Sequence, residues 1–280
     1  MYDAKVVCDS IACGVRLTTM LVTFPRFVLA EFNTHRVLSR NSASSRAIPV
    51  ERRIKQVLDN PFVPEAFTVN RRGMQATETL DDRDGSKARD AWLRARDAAV
   101  EQAEALVNLG VHKQHANRLL EPFCWHTVVV TATEWGNFFA LRCHPAAQPE
   151  MQITAGLMRD AREASTPTLL GVDEWHLPFV AGLMGAPCWR LDADKQLRKI
   201  SVVRCAAVSY ERQDVERTPE ECAERHAALA VAGHWSPFEH QARVMSEYEM
   251  QRHPYGFIGN FKSPWLQYRK TFSGEAVFRG

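Results

Sequence analysis

The chain has 280 residues, 45% hydrophobic and 24% charged, with a formal net charge of +2. This is ordinary globular composition, with enough chain to bury a large core in one catalytic-size domain spanning residues 1–280. So small a charge excludes a general nucleic-acid coat, so any cluster of arginines has to act locally. No apolar run reaches the length of a membrane span, and the start, Met1-Tyr-Asp-Ala-Lys-Val-Val-Cys-Asp-Ser10, lacks the apolar stretch of a secretory signal; a soluble, cytoplasmic protein is expected. Seven cysteines, Cys8, Cys13, Cys124, Cys143, Cys188, Cys205 and Cys222, are an odd number without a Cys-x-x-Cys pair, which predicts reduced, mostly buried thiols. His112 and His115 are the closest His pair, more simply read as helix-surface or core residues than as ligands, and no metal is expected.

In chain order, residues 15–24 alternate as a strand, with Leu17, Thr19 and Leu21 on one face and Thr18, Met20 and Val22 on the other. Pro25 then stands where a proline starts a helix, and Val28, Leu29 and Phe32 recur at helical spacing. Residues 35–46 follow, with three guanidiniums (Arg36, Arg40, Arg46), four hydroxyls (Ser39, Ser42, Ser44, Ser45) and the His35 imidazole. Planar forks of donors beside neutral hydroxyls are the chemistry of a phosphate pocket. A solvated basic loop is the plain alternative, and the apolar helix that anchors the segment favours the pocket.

Residues 51–58 read as a short amphipathic helix and residues 70–88 as a long polar loop. A helix over 87–109, with Ala95, Ala98, Ala99, Ala103, Leu106 and Val107 as its stripe, stops at Gly110. A second is expected over 111–120, a β-branched run over 128–131, a helix over 149–163 that Ser165-Thr-Pro167 ends, and a last clear helix over 222–232 before Gly233.

Thr34-His35-Arg36, Ser39, Asn41, Ser44 and Arg46, after a strand, a proline and an apolar stretch, resemble the signature of the flavin-dependent thymidylate synthases (ThyX). Three further blocks are similar to that family: Val203-Arg-Cys-Ala-Ala-Val-Ser-Tyr210 followed by Gly233-His-Trp-Ser-Pro-Phe-Glu-His240; Arg118 four residues before Pro122; and Asn137-Phe-Phe-Ala-Leu-Arg142 with Gln148 and Glu150 beyond. Together they cover most of residues 17–158 and 200–240. In the family the Ser-Pro-Phe-Glu-His block precedes the strand, whereas here it follows. Circular permutation explains that order, with residues 167–199 as the new connection. A chance match of the C-terminal block is the rival explanation.

The resemblance implies an α+β fold, a mixed and largely antiparallel sheet packed against helices, in permuted order. It implies FAD as cofactor, with methylenetetrahydrofolate and NADPH as co-substrates, and methylation of deoxyuridylate to thymidylate at C5 in a homotetramer whose sites are shared between subunits. No nucleic-acid or membrane partner is implied. Carried over by position, His35, Arg36, Asn137 and Ser236 fall to the cofactor; Ser44, Arg46 and Arg118 to the nucleotide phosphate; Arg142 to the pyrimidine base; and His234 to the flavin and folate side, with Arg142 and His234 as the catalytic candidates. Each has a plain structural alternative: Ser236 can cap the turn at Pro237, Asn137 can bond a neighbouring backbone, and Arg118 can lie along the surface. No cysteine stands in a recognisable nucleophile motif.

Four positions depart from the family pattern. Thr34 replaces its first arginine, Glu31 a glutamine, Ser42 a glutamate and Ala47 a tyrosine. The loss of one cation and gain of a carboxylate beside the pocket predict an altered base preference, so Glu31 joins the substrate-binding candidates. The alternatives are methylation of deoxycytidylate, hydroxymethylation by the same machinery, and a relic that binds flavin or nucleotide without turnover.

Overall fold

Two long strands, β1 (Asp3–Ala12) and β2 (Val15–Pro25), meet at Cys13 and Gly14, both with positive φ, as the tightest hairpin turns require. The pairing runs antiparallel from Asp3 opposite Thr23 to Ala12 opposite Val15, with a register shift between Val6 and Cys8. That bulge breaks the alternation, which is why sequence analysis found no strand there. The computed structural model describes residues 1–73, 75–181, 191–211, 217–252 and 257–276.

The chain continues through a 3-10 turn (Arg26–Val28), α1 (Leu29–Phe32), β3 (Ser39–Ser42), α2 (Val50–Asp59), α3 (Asp82–Asn108), α4 (Lys113–Ala116), a 3-10 segment (Asn117–Phe123) and β4 (Trp125–Ala132). Next come α5 (Gly136–Arg142), α6 (Pro149–Ala164), β5 (Thr168–Leu169), β6 (Trp175–His176), α7 (Leu191–Ala207) and a 3-10 turn (Val208–Tyr210). The last part holds α8 (Pro219–Val231), a 3-10 turn (Ser236–Glu239), β7 (Ala242–Val244), α9 (Glu247–Gln251), β8 (Phe257–Ile258), β9 (Phe261–Lys262) and β10 (Trp265–Gln267).

The main sheet has the order β3-β4-β2-β1-β5, antiparallel except where β5 runs parallel to β1. The protein is therefore α+β with a largely antiparallel sheet. On one face of the sheet, Met20, Val22 and Phe24 of β2 and Val128 and Val130 of β4 pack with Phe138 of α5 and Met151, Ala155 and Met158 of α6. On the other, Leu21 and Val129 meet Cys205 and Val208. Because both faces are covered, Thr18 and Thr19 are as buried as the apolar residues beside them.

A smaller sheet, β10-β7-β6, joins the β1/β2 hairpin through a second core of Ala12, Leu17, Ala242, Val244, Phe261 and Trp265. A buried polar chain ties the two sheets together. Ser10 Oγ bonds His176 Nδ1 at 2.9 Å, His176 Nε2 bonds Thr19 Oγ1 at 2.8 Å, Thr19 bonds Thr131 at 2.7 Å, and Thr131 bonds His240 Nδ1 at 2.8 Å. Burial drives the pKa of both histidines down to about 3, so both are neutral imidazoles.

The structure corrects four local expectations. Pro25 closes β2, and the helix expected after it shrinks to a 3-10 turn and the four-residue α1. Part of the expected basic loop is strand β3, invisible to hydrophobic patterning because its residues are Ser, Arg, Asn and Ser. The expected loop over 70–88 ends early: Asp81 accepts a bond from Asp84 N at 2.8 Å, and α3 starts at Asp82 with two aspartates in its positive first turn. The helix expected over 111–120 is one α-turn followed by a 3-10 segment containing Pro122. Residues 167–199 hold β5, β6 and the first half of α7, while 182–190, with Cys188, lie outside the described residues. Among the described residues no helix is long and apolar enough to cross a membrane.

Candidate functional site

Residues 31–46 run from α1 through β3 into the loop before α2, and along that path they meet three polar clusters. The first surrounds His35, which is buried with 6% of its surface exposed, edge-on to Phe138 at 5.0 Å. Arg142, in the last turn of α5, donates from Nε to His35 Nε2 at 2.8 Å and from Nη2 to Thr34 Oγ1 at 3.1 Å, and its Nη1 pairs with Glu31. Arg40 Nη1 donates to the His35 carbonyl at 2.7 Å. Burial first, then the charges of Arg142 and Arg40, lower the His35 pKa. Three of the five N–H groups of Arg142 are thus committed, leaving two for a ligand.

Glu31 and Thr34, the two departures flanking the motif, hold the same arginine. The carboxylate gained here is neutralised by a cation already present, so it does not stand free beside the pocket. A guanidinium that meets carboxylate, hydroxyl and imidazole at once is fixed in orientation by all three.

The second cluster centres on Asn41, whose side chain is buried in β3. Its Nδ2 donates to the Cys205 carbonyl at 2.7 Å, and its Oδ1 accepts from Ser209 Oγ and Ser236 Oγ, each at 3.1 Å. The backbone adds a bond from Ser44 N to Ser209 O at 3.1 Å. The segments 203–210 and 233–240 are thereby brought to β3, although they lie far from it in sequence. Beside them, Ser39 Oγ accepts from Asn260 Nδ2 and Gln267 Nε2 at 3.1 and 3.0 Å.

The third cluster gathers on Glu121, which accepts from Ser45, from Arg118 at 2.7 Å and from Arg26 at 3.3 Å. Asn117 Nδ2 holds the carbonyls of Ser45 and Ile48 at 2.7 and 2.9 Å. Glu121 was not among the residues expected at the site, though its spacing three residues after Arg118 on a helical turn was the available signal.

Among the described residues, the side chains of Arg36, Ser42, Ser44 and Arg46 have no protein partner, while His35, Ser39, Arg40, Asn41 and Ser45 all do. Arg36, Arg46, Arg118, Asn137 and His234 are exposed. Asn137 shares α5 with Arg142. His234 closes α8: its N–H reaches Leu229 O at 3.0 Å after Gly233 turns with φ +71°. Ser236 is engaged by Asn41. Clefts of about 450 Å³ between α2 and α3, and of about 440 Å³ beside Arg53, Trp125 and Glu211, are lined by none of residues 31–46. The candidate site thus has an inner layer of mutually bonded side chains, with Arg36 and Arg46 exposed outside it.

A sequence profile of the family described as thymidylate synthase complementing protein (Thy1) matches residues 11–168. The chain belongs to this family. Membership makes it a methyltransferase-type enzyme of pyrimidine nucleotides. The match contains the segments at 34–46, 118–122, 137–142 and 148–150, and ends before 203–210 and 233–240. Among solved structures, the UMP/dUMP methylase PolB from Streptomyces cacaoi bound with 5-Br UMP is similar at TM-score 0.48 and 18% identity, over 58% of this chain and 88% of that one. The same methylase bound with 5-Br dUMP is similar at TM-score 0.43 and 21% identity, over 52% of this chain and 65% of that one. No curated protein matches the chain.

Proposed function

We propose that the protein is a flavin-dependent thymidylate synthase, transferring a one-carbon unit from methylenetetrahydrofolate to C5 of deoxyuridylate, with FAD as cofactor and NADPH as reductant. One observation carries the reading. Within residues 31–46, Glu31, Thr34, His35, Ser39, Arg40, Asn41 and Ser45 are each engaged by other protein groups, whereas Arg36, Ser44 and Arg46, the donors that a phosphate requires, have no protein partner among the described residues. A merely solvated basic loop would not need its neighbours held by Asn41 and Glu121.

The donor set also fits FAD. Arg36 and Asn137 offer an exposed cation and amide to its anionic and carbonyl groups, and His35 offers a ring nitrogen. When bound and reduced by NADPH, the flavin would supply the hydride that completes the methyl group. Ser44 and Arg46 orient the nucleotide through its phosphate, and Arg142, held by Glu31, Thr34 and His35, offers its two remaining N–H groups to a pyrimidine carbonyl. Since Glu31 is occupied by Arg142, its carboxylate is poorly placed to select the amine of cytosine, which favours deoxyuridylate over deoxycytidylate. The exposure of Arg118 and His234 supports a site shared with a second copy of the chain, with Arg118 facing a neighbour's nucleotide and His234 the folate side in a homotetramer. The reading retains one permuted catalytic domain over 1–280.

The test is product mass after incubation with FAD, NADPH, methylenetetrahydrofolate and either deoxyuridylate or deoxycytidylate. A methyl increment on deoxyuridylate is expected. An increment on deoxycytidylate, or a hydroxymethyl product, overturns the substrate assignment, and bound nucleotide without any increment identifies a relic.

A further inference from the structure

We infer that Glu31 and Arg142 form a positioning device that fixes His35 as the neutral tautomer protonated on Nδ1, leaving Nδ1–H as the ring's only donor to a ligand. What His35 donates to rests on the function proposed above; the device itself belongs to the free protein.

A guanidinium has no acceptor, so the 2.8 Å contact from Arg142 Nε requires a lone pair on His35 Nε2, and the proton of the neutral ring must then sit on Nδ1. Among the described residues Nδ1 has no protein partner. The arginine is held in its turn by Glu31 and by Thr34 Oγ1, which itself donates to the Glu31 carbonyl at 2.7 Å. The loop closes on itself: α1 presents the carboxylate and the turn after it the hydroxyl, while α5 presents the guanidinium and the ring of Phe138 against the imidazole.

Every group facing His35 acts in one direction. Arg142 from α5 and Arg40 from β3 are cations, Phe138 excludes water, and Glu31 reaches the ring only through the guanidinium. Protonating Nε2 would break the bond from Arg142 and set two cations against each other. A neutral imidazole donating from Nδ1 recognises an acceptor, a carbonyl oxygen or an unprotonated ring nitrogen, both of which flavin and pyrimidine rings carry.

This assigns Glu31 a role other than base selection. It acts through Arg142, and the hydroxyl of Thr34 serves the same end where an arginine would repel Arg142. The device predicts that Glu31 and Thr34 operate as a pair.

Ring-nitrogen NMR of His35 in the ligand-free protein, across pH, tests it. The parent should show an unprotonated Nε2 and protonated Nδ1 with a pKa below 6.5. Glu31→Ala should release Arg142, giving mixed tautomers and a pKa moved up toward 6.5, while Glu31→Gln, which keeps an acceptor, should restore the single tautomer. A protonated Nε2 in the parent overturns the inference. So does an unchanged tautomer with a pKa lowered further in Glu31→Ala, the result expected of a mere counter-ion. Failure of FAD uptake with the NMR result intact would sink the proposed function and leave the device standing.

Discussion

Asn41 on β3 donates from its side chain to the carbonyl of Cys205 on α7 at 2.7 Å, joining residues 164 positions apart. The same amide oxygen gathers Ser209 and Ser236, so a single asparagine fastens both C-terminal segments to the strand that carries the arginines. An amide is suited to this because it offers donors and an acceptor together.

Asn41→Ala should therefore cost about 1–3 kcal/mol of stability, since it strands a buried carbonyl and removes the acceptor of two hydroxyls. Chemical denaturation of parent and variant measures this. A change within experimental error would mean that the two segments are held by apolar packing alone.

Arg46→Ala should leave the denaturation midpoint unchanged, because the side chain is exposed and has no partner among the described residues. Affinity for deoxyuridylate should fall by about 2–5 kcal/mol if the guanidinium pairs with the phosphate, with a much smaller effect on FAD. Calorimetric titration with each ligand separates the two effects, and equal nucleotide affinity would reduce residues 44–46 to a basic surface.

Stability should decline as pH falls from 6.5. His176 and His240 are neutral in the folded state with pKa about 3, whereas unfolded histidine titrates near 6.5. Above 6.5 neither state binds the proton. Below it the unfolded state takes up protons that the folded state refuses, at up to about 1.4 kcal/mol per pH unit for each ring, until the pH approaches 3. Between pH 6.5 and 5 carboxylates contribute little, so a falling melting temperature there reports His176 and His240 together with His35, His126 and His226, whose pKa values burial also lowers. A flat profile over that window would contradict the assignment.

Gly259 has φ +73°, and a Cβ there would collide with the side-chain oxygen of Gln267. Gln267 in turn holds Ser39 and the Glu239 carbonyl, both at 3.0 Å. Gly259→Ala should then destabilise the protein by about 1–3 kcal/mol and loosen β3. Hydrogen exchange at residues 39–42 is the readout; unchanged protection would show that Gln267 can give way without disturbing the strand.

Light scattering should return a mass several times 31.7 kDa. A monomer with full activity would refute sites shared between chains.

The sequence by itself determined the elements whose residues follow a period and whose ends carry caps. Strand β2, α2, α6 and α8 stand within a few residues of where patterning set them, because apolar spacing is a local signal; α8 starts at Pro219, three residues before the expected start, behind a capping box of Thr218 and Glu221. It also determined the family, since Thr34 to Arg46 and Asn137 to Arg142 fall inside the profile match. Tertiary structure decided the rest. Strand β3 forms because β4 offers it backbone partners from Thr131 to Val128, which no property of Ser-Arg-Asn-Ser announces. Glu31 read alone was a stray carboxylate beside a binding segment. Only the fold brings Arg142, 111 positions away, against it, and the sign of a charge has no meaning for a site until its nearest opposite charge is known.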